Sequence, residues 1–208
     1  MKKLLGLALV ALALVPAVGY AQEGPLMIRA RGVYIGTADK SDAIPALRVP
    51  EDAITVSKKL IPEVDITYFL GKHVAAELIL TYPQKHDVEV SGTKIGTFRH
   101  LPPVLSLQYH FAPEAAVRPY VGVGANLTII SNVDLAVPGV GALDLESTSV
   151  GVAAQGGFDI KLGPKLFLNA DLKWVSLGSD VMLAANDTKV SAVKINPWLI
   201  GVGLGYRF

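Results

Sequence analysis

From Trp198 to Phe208, the last residue, every second side chain is apolar: Trp198, Ile200, Val202, Leu204, Tyr206 and Phe208. The residues between them are Leu199, Gly201, Gly203, Gly205 and Arg207. A strand turns successive side chains to opposite faces, so this segment reads as a one-sided β-strand. Chain ends usually fray and carry polar residues. Here the apolar face continues to the end of the chain, with aromatics near both ends. That is the pattern of a strand whose outer side faces lipid.

At the other end, Met1, Lys2 and Lys3 precede an almost unbroken run of Leu, Ala and Val from Leu4 to Val18. Gly19-Tyr20-Ala21 then places small residues where a signal peptidase reads. The expected organisation is a cleaved signal peptide over 1–21 and one barrel domain over 22–208. The apolar run falls short of the ~20 residues of a membrane-spanning helix, and no later segment qualifies. The chain is 51% hydrophobic and only 18% charged, so a membrane location after cleavage has to rest on strands. With Lys2 and Lys3 removed from 19 basic residues against 18 acidic ones, the mature chain is near neutral. No electrostatic footprint for nucleic acid exists. Cysteine is absent, so disulfides contribute nothing outside the cytoplasm.

Two-residue alternation recurs along the chain and predicts strands near 26–36, 61–70, 74–82, 98–111, 117–128, 148–162, 166–175 and 193–208. Gly71-Lys72-His73, Ala112–Ala116 and Gly163-Pro164-Lys165 are rich in turn formers and make short connections. Long, mostly polar loops fall near 37–60, 83–97, 129–147 and 176–192. The expected fold is an all-β, eight-stranded antiparallel transmembrane β-barrel with short periplasmic turns and long extracellular loops. Aromatics on the apolar face sit at strand ends: Tyr68, Tyr109, Phe111, Phe158, Tyr206 and Phe208 low, Tyr34, Tyr82, Trp174 and Trp198 high. Two girdles around an aliphatic band fit a bilayer. A soluble lipocalin-type barrel with its apolar face inward explains neither the girdles nor the charges left on the other face.

Several stretches resemble the OmpW family of outer-membrane proteins. They are Pro62–Phe69 with Ala75–Leu78, Leu101-Pro102-Pro103 with Leu107–Phe111, and Arg118–Gly122. Asp171–Val175 and the ending from Pro197-Trp198 to Phe208 complete the likeness. Gly203, Tyr206 and Phe208 also resemble the C-terminal signal read by the barrel assembly machinery. The resemblance implies an eight-stranded barrel in the bacterial outer membrane, surrounded by its lipids, and a role in uptake of small hydrophobic molecules.

Strand parity sends the remaining residues inward. A polar floor is expected low in the lumen: Arg29, Arg31, Asp65, Glu77, Gln108, His110, Arg118, Asp159, Asp171, Lys173 and Arg207. Above it, Val33, Ile35, Ile79, Val104, Ala153, Val175 and Leu199 form an apolar funnel. The lumen of eight strands admits packed side chains or one small ligand, so the floor should stop bulk flow. The expected route is passive: an apolar molecule enters the funnel and leaves sideways into the bilayer. Pro102 and Pro103 remove two backbone donors and mark a candidate lateral gate, with Gly122 and Gly124 opposite leaving room for a ligand. The alternatives are a sealed structural barrel whose loops act as receptor or adhesin, and a lipid-modifying barrel enzyme.

Other signals fail. His73, His86, His100 and His110 are too dispersed for a helical zinc motif, and His86-Asp87 reads as a solvated pair, so no metal is expected. Gly201-x-Gly203-x-Gly205 has no helix after it to make a nucleotide site. No Gly-x-Ser-x-Gly elbow exists, and nothing calls for catalysis or a cofactor.

Overall fold

The computed structural model describes residues 23–37, 40–41, 43, 49–137, 141–185 and 188–208; the expected leader lies outside them. Fifteen strands follow one another among these residues. They are β1 (Leu26–Gly36), β2 (Lys40–Ser41), β3 (Ile54–Val56), β4 (Lys59–Phe69), β5 (Val74–Leu80), β6 (Gln84–Val90), β7 (Thr93–Leu101) and β8 (Val104–His110). Then come β9 (Val117–Val137), β10 (Gly141–Leu145), β11 (Thr148–Lys161), β12 (Leu166–Val175), β13 (Gly178–Leu183), β14 (Thr188–Lys194) and β15 (Trp198–Arg207).

Eight of these form a closed antiparallel wall in the order β1, β4, β5, β8, β9, β11, β12, β15. β15 returns to β1, with Met27 opposite Arg207 and Gly36 opposite Trp198. Closure leaves no strand edge, the condition for carrying a sheet's backbone through hydrocarbon. The predicted barrel is therefore present, with the one-sided C-terminal strand as its closing member. Its outer face shows Ile200, Val202, Leu204, Tyr206 and Phe208 half exposed. Aromatic pairs stiffen the lower girdle: Tyr206 lies 5.0 Å from Phe208 and Tyr109 lies 5.2 Å from Phe111, both edge to face.

Two predicted strands are divided. The segment 98–111 breaks at Pro102-Pro103, giving β7 and β8, and 193–208 breaks at Asn196-Pro197, giving β14 and β15. Proline has no N–H for the ladder, and Asn196 takes a positive φ of 33° to turn the chain. The long connections are present on the expected side, and beyond the membrane much of their length pairs as strands. β6 and β7 form a hairpin whose two-residue turn, Ser91-Gly92, has φ of 49° and 78°, the primed geometry that fits strand twist. β9 runs 21 residues, about twice what a bilayer requires. β10 pairs with β9 and β13, β13 with β14, and β3 with β6. Ile54, Val88, Phe98, Ile130, Leu135 and Val181 belong to a separate apolar core within this extension. Outward charges such as Lys85, Asp87 and Glu89 make these segments look like polar loops. Alternation with Gln84, His86 and Val88 is nonetheless there.

Gly203 has a packing role at the closing seam. A Cβ there would overlap the Ala30 carbonyl and stand 2.7 Å from Arg31 Cα. β15 therefore approaches β1 only as glycine. Gly32, where the nearest atom is 4.0 Å away, has no such demand. Gly203→Val is expected to cost about 3 kcal/mol or more, against less than about 1 kcal/mol for Gly32→Ala, in urea unfolding followed by tryptophan fluorescence.

Candidate functional site

The lumen is layered from periplasm to exterior, and inward parity on the eight strands decides what each layer contains. At the lowest level, Glu23 lies just ahead of β1. Its carboxylate accepts from Arg118 Nη1 at 2.6 Å and Nη2 at 3.0 Å, Arg207 Nη1 at 3.1 Å and Lys161 Nζ at 2.7 Å. The Arg207 guanidinium lies 3.8 Å over the Phe69 ring, and that of Arg118 4.8 Å over Phe167. Met27, Phe69, Ala75 and Phe167 fill the space beneath the charged layer. Burial alone would raise the Glu23 carboxyl, but Arg118, Lys161 and Arg207 outweigh it and hold the pKa down to about 2.

Above this plug, three cations and five carboxylates are buried together: Arg29, Arg31, Lys173, Glu63, Asp65, Glu77, Asp159 and Asp171. Arg29 binds Asp159 in a fork, Nε to Oδ1 at 3.1 Å and Nη2 to Oδ2 at 2.7 Å. Its Nη1 donates to Thr67 Oγ1 at 2.6 Å and to Glu77 Oε1 at 3.1 Å. Arg31 lies 2.9 Å from Glu63, 2.7 Å from Asp65 and 3.5 Å from Asp171. Lys173 completes the layer 3.3 Å from Glu63. Tyr120 Oη donates to Asp171 at 3.0 Å and accepts from Asn169 at 3.1 Å. Gln155 donates to Glu77 at 2.8 Å and to Ser106 at 3.0 Å. These bonds cross from one wall to another, so the layer closes the barrel.

All the residues expected in the floor lie in this layer or the plug below it. Gln108 and His110 meet there, with Nε2 of His110 3.2 Å from Oε1 of Gln108. Sequence reading missed Glu63, Thr67, Tyr120, Gln155 and Glu23. The first four share the inward parity of their strands and were legible by it; Glu23 precedes any strand and carried no signal.

The seven funnel residues form one buried apolar cluster above the charges, together with Ile61. A pocket lies against this cluster. Ile35, Ile61, Ile79, Val104, Val175 and Leu199 line its sides, and Glu63 and Lys173 face it from below. Thr81 and Pro102 also line it, at a break in the wall. The β5–β8 ladder ends at Ile79 opposite Val104, and pairing resumes only at Gln84 opposite His100. On the other side of β8 the wall holds, since Leu127 N donates to the Pro103 carbonyl at 3.1 Å. Gly122 and Gly124 leave no room for a ligand, which corrects that expectation. A Cβ on Gly122 would stand 2.9 Å from Gln155 Nε2, and one on Gly124 2.8 Å from Ser106 Cα. Both glycines admit neighbouring groups of the wall and its lumen.

Over the funnel lies a polar collar. His86 and His100 are buried with rings 4.8 Å apart, and Asn126 and Thr128 face the lumen from β9. On the outer side of this storey Lys85 and Arg99 are exposed partners, so the collar stands clear of the hydrocarbon. Burial pushes the His100 imidazole down to about 3 and lowers that of His86, so both are neutral at ordinary pH. The apolar core of the extension, with a pocket of about 60 Å³, follows above.

A closed antiparallel wall, lipid-facing side chains between aromatic girdles and a charge-filled lumen define a transmembrane β-barrel of the bacterial outer membrane. The OmpW family profile matches residues 22–208, and the chain belongs to that family. It is 39% identical over 204 residues to outer-membrane protein y4mB of Sinorhizobium fredii, covering 93% of this chain and 86% of the relative. It is 30% identical over 198 residues to outer membrane protein W of Vibrio cholerae, covering 90% of each. The crystal structure of outer membrane protein OprG from Pseudomonas aeruginosa superposes with a TM-score of 0.77 at 27% identity, covering 90% of this chain and 97% of that one. These relatives are outer-membrane barrel proteins.

Two predictions follow from the lower layers. Arg29→Met strands Glu77 and Asp159 without their main counter-ion and is expected to cost about 3–5 kcal/mol in chemical unfolding. The Glu23 carboxyl is depressed in the folded state, so its stabilisation is complete above the ordinary value of 4.5 and disappears as the pH falls towards 2. Unfolding midpoints between pH 8 and 2 should show this loss in the unaltered protein and a shallower fall in Glu23→Gln.

Proposed function

We propose that this protein is a passive, non-catalytic entry route for small apolar molecules. A molecule enters from outside through the extension, settles in the Val33–Leu199 funnel and leaves sideways between β5 and β8. The observation that carries this reading is a juxtaposition: the apolar pocket rests on a cross-linked charge layer and opens towards the unpaired stretch at Thr81 and Pro102. An apolar solute gains nothing by entering the charge layer, where it would separate buried ion pairs without replacing their hydrogen bonds. Moving sideways keeps it in apolar surroundings throughout. Pro102 and Pro103 lower the barrier, because that length of wall has fewer ladder bonds to break. Gly203, Tyr206 and Phe208 present the chain's C-terminal strand to the barrel assembly machinery.

Uptake of radiolabelled naphthalene into proteoliposomes tests the route. Ala153→Trp fills the funnel and should reduce protein-dependent uptake at least about tenfold, with folding checked by gel mobility before and after heating. The chain has no cysteine, so Thr81→Cys with Pro102→Cys can be bridged by a reversible bis-methanethiosulfonate. Bridging should abolish uptake and reduction should restore it. Uptake that ignores the bridge refutes lateral exit. Equal uptake with and without protein removes transport and leaves a sealed barrel serving as a surface receptor through its extension.

A further inference from the structure

The collar is a polar island in an apolar passage. Below it Val104 and Ile79 line the funnel, and above it Phe98 and Leu177 belong to the core of the extension. His86 Nδ1 lies 2.9 Å from the Ser57 carbonyl, which only accepts, so this nitrogen carries the proton. Nε2 of His86 is then an acceptor, and it has no partner. His100, 7% exposed, has a buried Nδ1 without a partner. A neutral imidazole offers one donor and one acceptor, so in the tautomer protonated at Nε2 the open Nδ1 of His100 holds a free lone pair. Lining the same pocket from the neighbouring strand β9, Asn126 is 1% exposed and its Oδ1 accepts from Thr128 Oγ1 at 2.8 Å. The Asn126 amide Nδ2 is buried and unpartnered.

A buried donor and a buried acceptor left open in an apolar chamber each carry a desolvation cost. A packed, inert wall at this height would carry leucine or valine, as the storeys above and below do. We propose that His100 and Asn126, backed by His86, form a recognition site for a single neutral hydroxyl on an otherwise apolar molecule. A hydroxyl matches both groups chemically, as a donor to the His100 lone pair and as an acceptor from the Asn126 amide. An alkane or arene passing the collar leaves both groups unmatched. A carboxylate or ammonium would find no free counter-charge there, since Glu63 and Lys173 beneath are already paired. The site rests on the uptake route above and narrows its substrate class to small aliphatic or aromatic alcohols.

The test compares 2-naphthol with 2-methylnaphthalene, in which a methyl replaces the hydroxyl at nearly equal volume. Both are titrated against the full protein in lipid nanodiscs, with empty nanodiscs of the same lipid subtracted. The naphthol should bind about 5- to 10-fold more tightly, the range of one net hydrogen bond. His100→Phe, which keeps the ring stacking, and Asn126→Leu should each bring the ratio towards about 1. Neither should move 2-methylnaphthalene affinity by more than about twofold. A ratio near 1 in the unaltered protein overturns the proposal whatever the variants do, as does a ratio that survives both substitutions. If 2-methylnaphthalene binds and the ratio is 1, only the hydroxyl site falls. If neither compound binds beyond the empty nanodiscs, the uptake route falls with it.

Discussion

A strand in hydrocarbon must give every backbone polar group to a neighbouring strand, and eight strands meet this demand only by closing on themselves. Here the last ladder to close is β15 against β1, and Gly203 permits it by letting the two backbones come together. The number of strands fixes the bore, and the bore fixes what the lumen holds. Across so narrow a space, Arg29 reaches Thr67 and Glu77 on one side and Asp159 on the other. A wider barrel would leave such charges to water. The interlocked floor is thus a consequence of closure at eight.

The layers above follow from the same geometry. Carboxylates and guanidinium groups are tolerable inside only where each finds a partner, and they concentrate where the inward faces of β1, β4, β5, β11 and β12 converge. Once this layer closes the bore, the apolar pocket above it becomes a blind chamber. On the proposed route its way out is the wall, where the prolines between β7 and β8 have removed ladder bonds. Neither the floor nor the break would suggest a route alone. Their adjacency supports the proposed route, in which the collar above is where polarity is sampled before a molecule descends.

Much of the fold was legible in the chain. Period-two alternation with aromatics at strand ends identified the eight wall strands, because lipid outside and a packed lumen inside make strand parity nearly binary. The same parity placed Val33, Ala153 and Leu199 with the funnel and Arg29, Glu77 and Asp159 with the floor. It failed above the membrane, where both faces meet water or protein. There the outward Lys85 and Asp87 masked the inward His86 and Val88, and strands β6 and β7 were read partly as loop. Gly122 and Gly124 misled for a different reason: a missing side chain signals room only if no neighbour claims it, and Gln155 and Ser106 do.

The sequence by itself determined which residues face lipid and which face inward, since that division needs only strand periodicity and the cost of charge in hydrocarbon. Tertiary structure alone decided who meets whom across the bore. Arg31 with Asp171, and Glu23 with Arg118 and Arg207, are brought together by the register of strands far apart in the chain. Register depends on closure of the whole ring, a property that no local stretch of sequence carries.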